Sequence, residues 1–357
     1  MSNDQGFESV KIKIYIGLIV GFVSSLFIGI GFAGAANWVM PATPLSMDKL
    51  FVKLSYVRGE SRIPGAATEP WPREIKYQRR IIDFHNDKFK LESEIFRLDH
   101  PPQKIIPHAV GISEVLWAIC PRQRLLMFNE VAADPRFSMI ADEIAVTQRI
   151  FNSKESELII AAQPDLVLTV IFSDAIFKQR LRQAGIPTLD LGSPDSLESV
   201  LKEIKLLGEI LGEDANAAAL LRIIKSEQAR LSAALPPQPT PLRLLYYDMG
   251  GYIPGKSSNF TSLCEMVGAV NVGAEQGINS WRQIDHETLL KWDPDIIIIP
   301  LESNLKVTLL QDPLLQHCRA LKSGKLLPIP GLYLRTNSQF LLLSANLLAG
   351  IIYPDAY

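Results

Sequence analysis

The chain has 357 residues, of which 47% are hydrophobic and 21% charged, and its formal net charge is −2. This composition excludes an intrinsically disordered protein, and the length allows two domains of ordinary size. The near-neutral charge and the lack of a lysine- and arginine-rich cluster argue against a nucleic-acid-binding protein. The three cysteines, Cys120, Cys264 and Cys318, are too few for a disulfide framework and lack the C-x-x-C spacing of zinc or redox sites.

Residues 1–36 have the pattern of an export signal. Lys11 and Lys13 precede an apolar run, 14–36, that ends in small residues at A-x-A spacing. The run is longer than the roughly 7–15 residues of a signal-peptide core and reaches the roughly 20 residues that span a membrane. The segment is therefore interpreted as either a signal peptide or a transmembrane anchor. Both interpretations predict a periplasmic or otherwise extracytoplasmic protein.

Residues 37–100 are interpreted as a linker followed by a small hairpin extension. Prolines interrupt the first part of this segment and leave little periodicity. Further on, two runs of alternating character, 81–84 and 89–92, flank the turn-like run 85–88. This arrangement predicts a β-hairpin before the first folded lobe.

Residues 101–212 are predicted to form an N-terminal lobe, because strands and helices alternate along this stretch. Strands are predicted at 104–108, 124–128, 165–170 and 187–190, and helices at 113–120, 175–184 and 196–211. Alternation of this kind is typical of a parallel sheet covered by helices.

A long helix, 214–235, follows and is stopped by the proline-rich run 236–241. A helix of about 21 residues spans roughly 30 Å. Residues 213–236 are therefore predicted to be a stiff interlobe helix, and 237–357 a C-terminal lobe. Strands are predicted in that lobe at 242–247, 295–299 and 325–329, and helices at 258–267 and 338–351.

One pattern occurs in both lobes. In each copy, 157–168 and 287–298, a short amphipathic helix is stopped by Pro-Asp and leads directly into an apolar strand. Proline ends the helix because it lacks an N–H and favours extended geometry in the preceding residue. The repeat predicts an α/β fold with two α/β lobes, mostly parallel sheets, and a single long backbone helix joining them. Two lobes leave a cleft in which a ligand can bind.

A resemblance to a known family rests mainly on residues 259–300. They contain Leu263-x-Glu265, Gly268, Asn271, Trp281 and the second Pro-Asp pair in this order. From Pro102 to the C-terminus the chain resembles the periplasmic solute-binding proteins of ABC importers for cobalamin, ferric siderophores or haem. The resemblance implies a binding protein with no catalytic residues and no cofactor of its own. It would capture a metal chelate and deliver it to the importer's permease and ATPase.

The resemblance also implies a role for one acidic residue in each lobe. Glu157 and Glu265 match the positions at which relatives dock onto arginines of the permease. Two separated carboxylates can orient a partner and steer its approach. The alternative is that both are ordinary surface acids, since glutamate at a helix start is favoured by the helix dipole.

Candidate ligand residues follow from the rule that ligands bind beyond the carboxyl ends of the strands in open α/β sheets. Trp281 is added because the family places an aromatic residue near the cleft. Aromatic rings offer flat apolar area, and cations can meet carboxylates or phosphates. Each aromatic residue can equally belong to the core. The full set is Val110, Phe172, Tyr252, Lys256, Trp281, Tyr333 and Arg335.

Two other functions are compatible with a two-lobed α/β fold. A direct transition-metal-binding protein needs three or four converging ligands, and of the histidines only His108 follows a predicted strand toward the cleft. The fold alone does not exclude an enzyme. However, the sequence has no G-x-S-x-G, no H-E-x-x-H and no P-loop motif. The sequence therefore predicts no metal site, no enzyme and no nucleic-acid partner.

Overall fold

The structure is a computed structural model. It describes residues 38–57, 70–83, 88–147, 149–152, 155–237 and 239–357. The predicted signal peptide or anchor, 1–36, lies outside these ranges. Within them, no helix is both long and apolar enough to cross a membrane. Residues Met40–Tyr357 form one compact unit, which contains every element described below.

Within the described ranges the chain begins with a helix, α1, Met47–Ser55. Leu50 and Leu54, four residues apart, are buried on one side of it. Just before it, the N–H and C=O of Leu45 form hydrogen bonds of 2.9 and 2.8 Å with the side chain of Asn346. The prediction of a linker is therefore wrong for this part of the segment, which is anchored in the core.

The predicted hairpin is present and is longer than expected. Strands β1, Arg73–Asp83, and β2, Lys88–Leu98, pair antiparallel over their whole length. The predicted turn at 85–88 lies mostly outside the described residues. At the base of the hairpin, Ile75, Tyr77 and Leu98 are buried, so this end is fixed to the body of the protein.

The N-terminal sheet consists of β3 (Ile105–Pro107), β6 (Leu166–Val170) and β7 (Thr188–Leu191) in the order β3-β6-β7, and all its pairs are parallel. A separate parallel pair joins β4 and β5. The predicted strand at 124–128 begins only at Met127, because Arg122–Arg124 forms a 3₁₀ turn. The elements are β3 Ile105–Pro107, α2 Val110–Ile119, β4 Met127–Asn129, α3 Ala141–Thr147, β5 Arg149–Phe151, α4 Ser156–Ala162, β6 Leu166–Val170, α5 Ala175–Gln183 and β7 Thr188–Leu191.

The C-terminal sheet has the order β10-β8-β12-β13, again with parallel pairs only. A short antiparallel pair, β9 with β11, stands beside it. The elements are α6 Leu197–Leu211, α7 Asp214–Ala234, β8 Arg243–Tyr246, β9 Tyr252–Ile253, α8 Asn259–Met266, β10 Val270–Asn271, α9 Val272–Glu275, β11 Arg282–Gln283, α10 His286–Trp292, β12 Ile296–Pro300, α11 Leu305–Gln311, α12 Arg319–Lys322, β13 Leu326–Ile329, α13 Gly331–Arg335 and α14 Leu341–Ile352.

Helix α7 is a continuous helix of 21 residues that is bonded at both ends. Near its start, the side chain of Asn216 donates a hydrogen bond of 3.0 Å to the C=O of Ile119 in the N-terminal lobe. At its end, the hydroxyl of Tyr357, the C-terminal residue, donates one of 3.0 Å to the C=O of Ala234. The two sheets are separate, so the predicted class of fold, two α/β lobes with mostly parallel sheets, is confirmed.

The repeated pattern has the same geometry in both lobes. Helices α4 and α10 end at Gln163 and Asp293, which have left-handed φ values of 47° and 43° although neither is glycine. Left-handed geometry costs a non-glycine residue roughly 1–2 kcal/mol. The aspartate two residues later accepts hydrogen bonds from backbone N–H groups that lead into the neighbouring strand. Asp165 does this for Gln103 and Lys104, and Asp295 for Arg243.

Candidate functional site

The carboxyl edge of the C-terminal sheet carries a cluster of polar side chains that includes Arg335. The hydroxyl of Tyr246, the last residue of β8, donates a hydrogen bond of 2.6 Å to Asp248 Oδ2. Arg335 Nη2 lies 3.4 Å from Asp248 Oδ1. Glu302, which follows β12, accepts hydrogen bonds of 3.0 and 3.1 Å from the N–H of Gly331. Since the strands are parallel, these groups meet at one edge of the sheet.

The charges of this cluster are mutually dependent. Burial lowers the pKa of the Arg335 guanidinium, but Tyr246, Asp248 and Glu302 outweigh burial and raise that pKa above its usual value. Burial, together with the nearby Asp248, raises the pKa of the Tyr246 phenol well above its usual value. Arg335 is therefore a cation opposed by two carboxylates, and Tyr246 is a neutral hydrogen-bond donor.

Gly331 allows this arrangement because it has no side chain. A Cβ at this position would lie 2.2 Å from Arg335 Nη1 and 3.2 Å from Glu302 Oε2. The guanidinium therefore occupies the space that a side chain would fill.

Trp281 lies next to the cluster and is 44% exposed. Its ring meets the ring of Tyr246 edge to face, with centroids 5.8 Å apart. Two contacts hold the loop after β9 against the loop that leads to β11. Tyr252 of β9 pairs with Gln283 of β11, and the N–H of Lys256 donates a hydrogen bond of 2.8 Å to the C=O of Ile278. Tyr252 is half-buried and Lys256 is exposed. The structure thus places Tyr252, Lys256 and Trp281 on adjoining loops.

Tyr333 is half-buried on α13, two residues before Arg335, and burial raises the pKa of its phenol. Of the cluster described above, the sequence prediction included Trp281 and Arg335 but missed Tyr246, Asp248 and Glu302. A usable signal was available, because each of the three stands at or just after the end of an apolar strand.

In the N-terminal lobe, Val110 and Phe172 follow the adjacent parallel strands β3 and β6. Val110 begins α2 and is half-buried, whereas Phe172 is 38% exposed. The segments that follow β3 and β6 are joined by His108, whose Nδ1 lies 3.0 Å from Ser173 Oγ and whose ring packs on Phe177 with centroids 4.4 Å apart. His108 is therefore held by packing and a hydrogen bond. No group of three or more metal-ligating side chains occurs among the described residues.

The two carboxyl edges come together where α2 begins. A Cβ on Gly111 would lie 2.3 Å from Asn337 Oδ1, so α2 touches the segment that follows Arg335. Val110, which begins α2, and Arg335, which precedes Asn337, thus belong to segments in direct contact.

The two predicted docking residues are on the surface. Glu157 lies in the first turn of α4, is 75% exposed and forms an ion pair of 2.8 Å with Arg180. A hydrogen bond from its own backbone N–H is the main cause that lowers the pKa of its carboxyl group. Glu265 is exposed near the end of α8 in the other lobe. Both positions are accessible to a partner, and their role remains a prediction.

Comparison with known proteins identifies the class. Residues 142–331, just over half of the chain, match the sequence model of the family described as "Periplasmic binding protein". The chain therefore belongs to the periplasmic binding protein family, as the resemblance predicted. The family groups the chain with binding proteins and not with enzymes.

Among relatives, a cobalamin-binding protein of Halobacterium salinarum is 22% identical over 203 residues, which are 56% of this chain and 54% of that protein. An uncharacterized ABC transporter substrate-binding lipoprotein of Bacillus subtilis is 26% identical over 212 residues, 56% of this chain and 66% of that protein. The matches thus span between about half and two thirds of these relatives.

Among solved structures, a periplasmic haem-binding protein from Pseudomonas aeruginosa is 22% identical with a TM-score of 0.59, covering 72% of this chain and 94% of that one. At this identity the likeness shows the fold alone.

Proposed function

We propose that this protein binds a metal chelate, a ferric siderophore, cobalamin or haem, in the cleft between its lobes and delivers it to an ABC importer. The observation that carries the proposal is the exposed Trp281 beside the Tyr246–Asp248–Arg335 cluster, at the edge of the sheet where ligands bind in such folds. Membership of the periplasmic binding protein family and relatives that bind cobalamin or haem support the same class of ligand.

The chemistry of the cluster suits a bulky, partly polar ligand. Trp281 and Tyr252 offer flat apolar area to a macrocycle or chelate at a low cost in conformational entropy. Arg335 can pair with a carboxylate on the ligand, which would take the place beside the guanidinium that Asp248, itself bonded to Tyr246, now occupies. The metal ion would be part of the bound chelate. The protein contributes binding, and it needs no cofactor or metal ligand of its own.

The importer is the expected partner. One relative is an ABC transporter substrate-binding lipoprotein, which supports delivery to a permease with its ATPase. Glu157 and Glu265, exposed and one in each lobe, are the proposed contacts with the permease. The protein would work outside the cytoplasm, with residues 1–36 serving as its signal peptide or its membrane anchor.

A fluorescence titration tests the proposal. The purified protein is titrated with cobalamin, haem and a ferric siderophore, and separately with Zn²⁺ and Mn²⁺. We expect saturable quenching by at least one chelate, and loss of part of this quenching in Trp281→Phe. The control Trp292→Phe alters a partly buried tryptophan of the C-terminal core and should retain the ligand response. Quenching by no chelate, or stoichiometric binding of a free metal ion alone, would overturn the proposal.

A further inference from the structure

A buried carboxylate joins the two lobes away from the cluster around Arg335. Glu114 lies in α2 of the N-terminal lobe and is only 2% exposed. One of its oxygens accepts a hydrogen bond of 2.5 Å from the hydroxyl of Ser338, and the other accepts one of 2.8 Å from the N–H of Met139. Ser338 belongs to the segment 336–340 between α13 and α14 of the C-terminal lobe. The carboxylate therefore bonds both lobes at once.

The same junction has a second bond and a third partner. The side-chain amide of Gln339 donates a hydrogen bond of 2.8 Å to the C=O of Glu114 and lies 3.4 Å from the C=O of Leu54 in α1. Ser338, Gln339 and Phe340 are fully buried. Helix α1, helix α2 and the segment 336–340 are distant in sequence, and they meet around the side-chain amide of Gln339. Because Gln339 is buried, water cannot replace these hydrogen bonds.

The junction connects directly to the elements that carry the candidate ligand residues. Val110 and Gly111 begin α2, one turn before Glu114, and Arg335 precedes Ser338 by three residues. The close approach of Gly111 to Asn337 lies between these points. Loss of the hydrogen bond between Glu114 and Ser338 would therefore move the start of α2, which carries Val110, relative to the segment that follows Arg335.

The carboxyl group of Glu114 can exist in two charge states near neutral pH. Burial raises its pKa to about 7, and the bonds from Ser338, Met139 and Ser138 only partly oppose burial. No charged side chain is among the causes of this shift. The charged form accepts hydrogen bonds from Ser338, Met139 and Ser138. In the neutral form one oxygen carries a proton, and when this is the oxygen that faces Ser338, the hydroxyl of Ser338 accepts a hydrogen bond from it instead of donating one.

We propose that Glu114 is a positioning residue of the ligand cleft, which holds the start of α2 against the segment 336–340 and so sets the separation of the two lobes. The part that concerns the ligand rests on the proposed function, whereas the part that concerns lobe separation does not. Glu114 touches no ligand in this proposal and acts through Val110 on one side and Arg335 on the other.

The test measures the lobe separation without ligand. Cysteines placed at the exposed positions Gln179 and Lys306, one in each lobe, are spin-labelled, and the distance between the labels is measured by pulsed EPR at pH 5.5 and 8.5. The three native cysteines are buried. The variants are Glu114→Gln, Glu114→Ala and Ser338→Ala. The matched control is Ser344→Ala, because the buried hydroxyl of Ser344 has no hydrogen-bond partner in the described part of the chain.

We expect the distance distribution of the unsubstituted protein to change between the two pH values. Glu114→Gln should abolish this pH dependence, Glu114→Ala and Ser338→Ala should broaden or shift the distribution, and Ser344→Ala should leave it unchanged. The affinity for the chelate identified by titration should fall at least tenfold in Glu114→Ala. Should Glu114→Ala fail to fold, Glu114→Gln and Ser338→Ala carry the test.

Distributions that are identical in the unsubstituted protein, Glu114→Gln and Ser338→Ala at both pH values would overturn the proposal. If the distributions change as expected but no chelate binds, the role of Glu114 in lobe separation stands and the proposed function fails. If a chelate binds equally well in every variant, the positioning role in the cleft is refuted while the proposed function stands.

Discussion

The guanidinium of Arg335 lies 3.4 Å from the carboxylate of Asp248, which itself accepts a hydrogen bond from the hydroxyl of Tyr246. A second carboxylate, Glu302, also raises the pKa of Arg335. The positive charge of this arginine is thus largely balanced within the protein. A ligand carboxylate that binds Arg335 has to compete with Asp248 for it, whereas an uncharged ligand does not.

This competition predicts opposite effects for two substitutions. Arg335→Ala should weaken the binding of an anionic chelate such as haem by about 10–100-fold, since a hydrogen bond to a charged group contributes about 1.5–3 kcal/mol. Asp248→Asn should strengthen it several-fold, because the competing charge is removed. Titration of both variants with haem and cobalamin checks this, and cobalamin affinity should change less.

Lys291→Ala is the control for Arg335→Ala, because Lys291 is an exposed cation near the end of α10 and is not a candidate ligand residue. Its effect on haem affinity should be small, as screened surface charges contribute little. Equal losses in Lys291→Ala and Arg335→Ala would mean that net charge, and not the placed guanidinium, governs binding.

The docking role proposed for Glu157 and Glu265 predicts that substitutions at these positions impair transport without impairing ligand binding. Glu157→Arg or Glu265→Arg should leave chelate affinity unchanged and abolish the stimulation of the importer's ATPase, because a cation would then face the arginines of the permease. The measurement is ATP hydrolysis by the reconstituted importer. Glu198→Arg is the matched control, since Glu198 is an equally exposed glutamate near the start of α6. Full stimulation by the double variant Glu157→Arg/Glu265→Arg would exclude the docking role.

The contact between Asn346 and Leu45 predicts a large effect on stability. Asn346→Ala removes two hydrogen bonds of 2.9 and 2.8 Å and leaves the N–H of the buried Leu45 unpaired, whereas the C=O of Leu45 keeps a hydrogen bond of 2.8 Å from the hydroxyl of Thr43. An unpaired buried group costs about 1–3 kcal/mol, so the free energy of unfolding should fall by about 1–3 kcal/mol. Urea unfolding gives this value. Asn304→Ala, at an exposed asparagine, should change it by less than about 0.5 kcal/mol. Similar values for both variants would show that α1 is not anchored as described.

The raised pKa values of Glu114 and Glu203 predict how stability depends on pH. Burial raises the pKa of Glu114 to about 7 and that of Glu203 to about 8, from 4.5. Between about pH 4.5 and these values the folded protein binds more protons than the unfolded chain. The free energy of unfolding should therefore decrease as the pH rises through this window, by at most about 1.4 kcal/mol per unit for each group.

Chemical unfolding at pH 5, 6, 7 and 8 measures this dependence. Glu114→Gln and Glu203→Gln should each make the decrease smaller, and together they should remove most of it. Asp285 and Asp312, whose pKa values are lowered by hydrogen bonds, act at lower pH and leave this window unaffected. A decrease of the same size in the double variant would contradict the account.

Local sequence patterns were sufficient for most of the fold. The apolar runs after the two Pro-Asp pairs became β6 and β12, because consecutive β-branched and aliphatic residues suit strands covered on both faces. Helix α7 was predicted nearly to the residue, since Gly212 and the prolines after Ala234 mark its limits. Helix α1 was missed because it is fixed by long-range contacts, such as the bond between Leu54 and Gln339 and, just before the helix, the bonds between Leu45 and Asn346, which is 301 residues later.

The site was predicted less well, for the same physical reason. Trp281 was predicted from the family resemblance and Arg335 from its place after a predicted strand, but Asp248 and Glu302 matter only through their effect on Arg335. Glu114 is the clearest example. A glutamate in a helix is usually on the surface, and its burial here depends on Ser338, 224 residues later.

The most direct test of the account is equilibrium dialysis of the purified protein against cobalamin, haem and a ferric siderophore, with Trp281→Ala beside the unsubstituted chain. We predict that at least one chelate is retained at one molecule per chain with micromolar or tighter affinity, about −8 kcal/mol. Trp281→Ala should bind it at least tenfold more weakly with an unchanged melting temperature, because this ring is exposed. Retention of no chelate, or equal retention by Trp281→Ala, would contradict the proposed binding site.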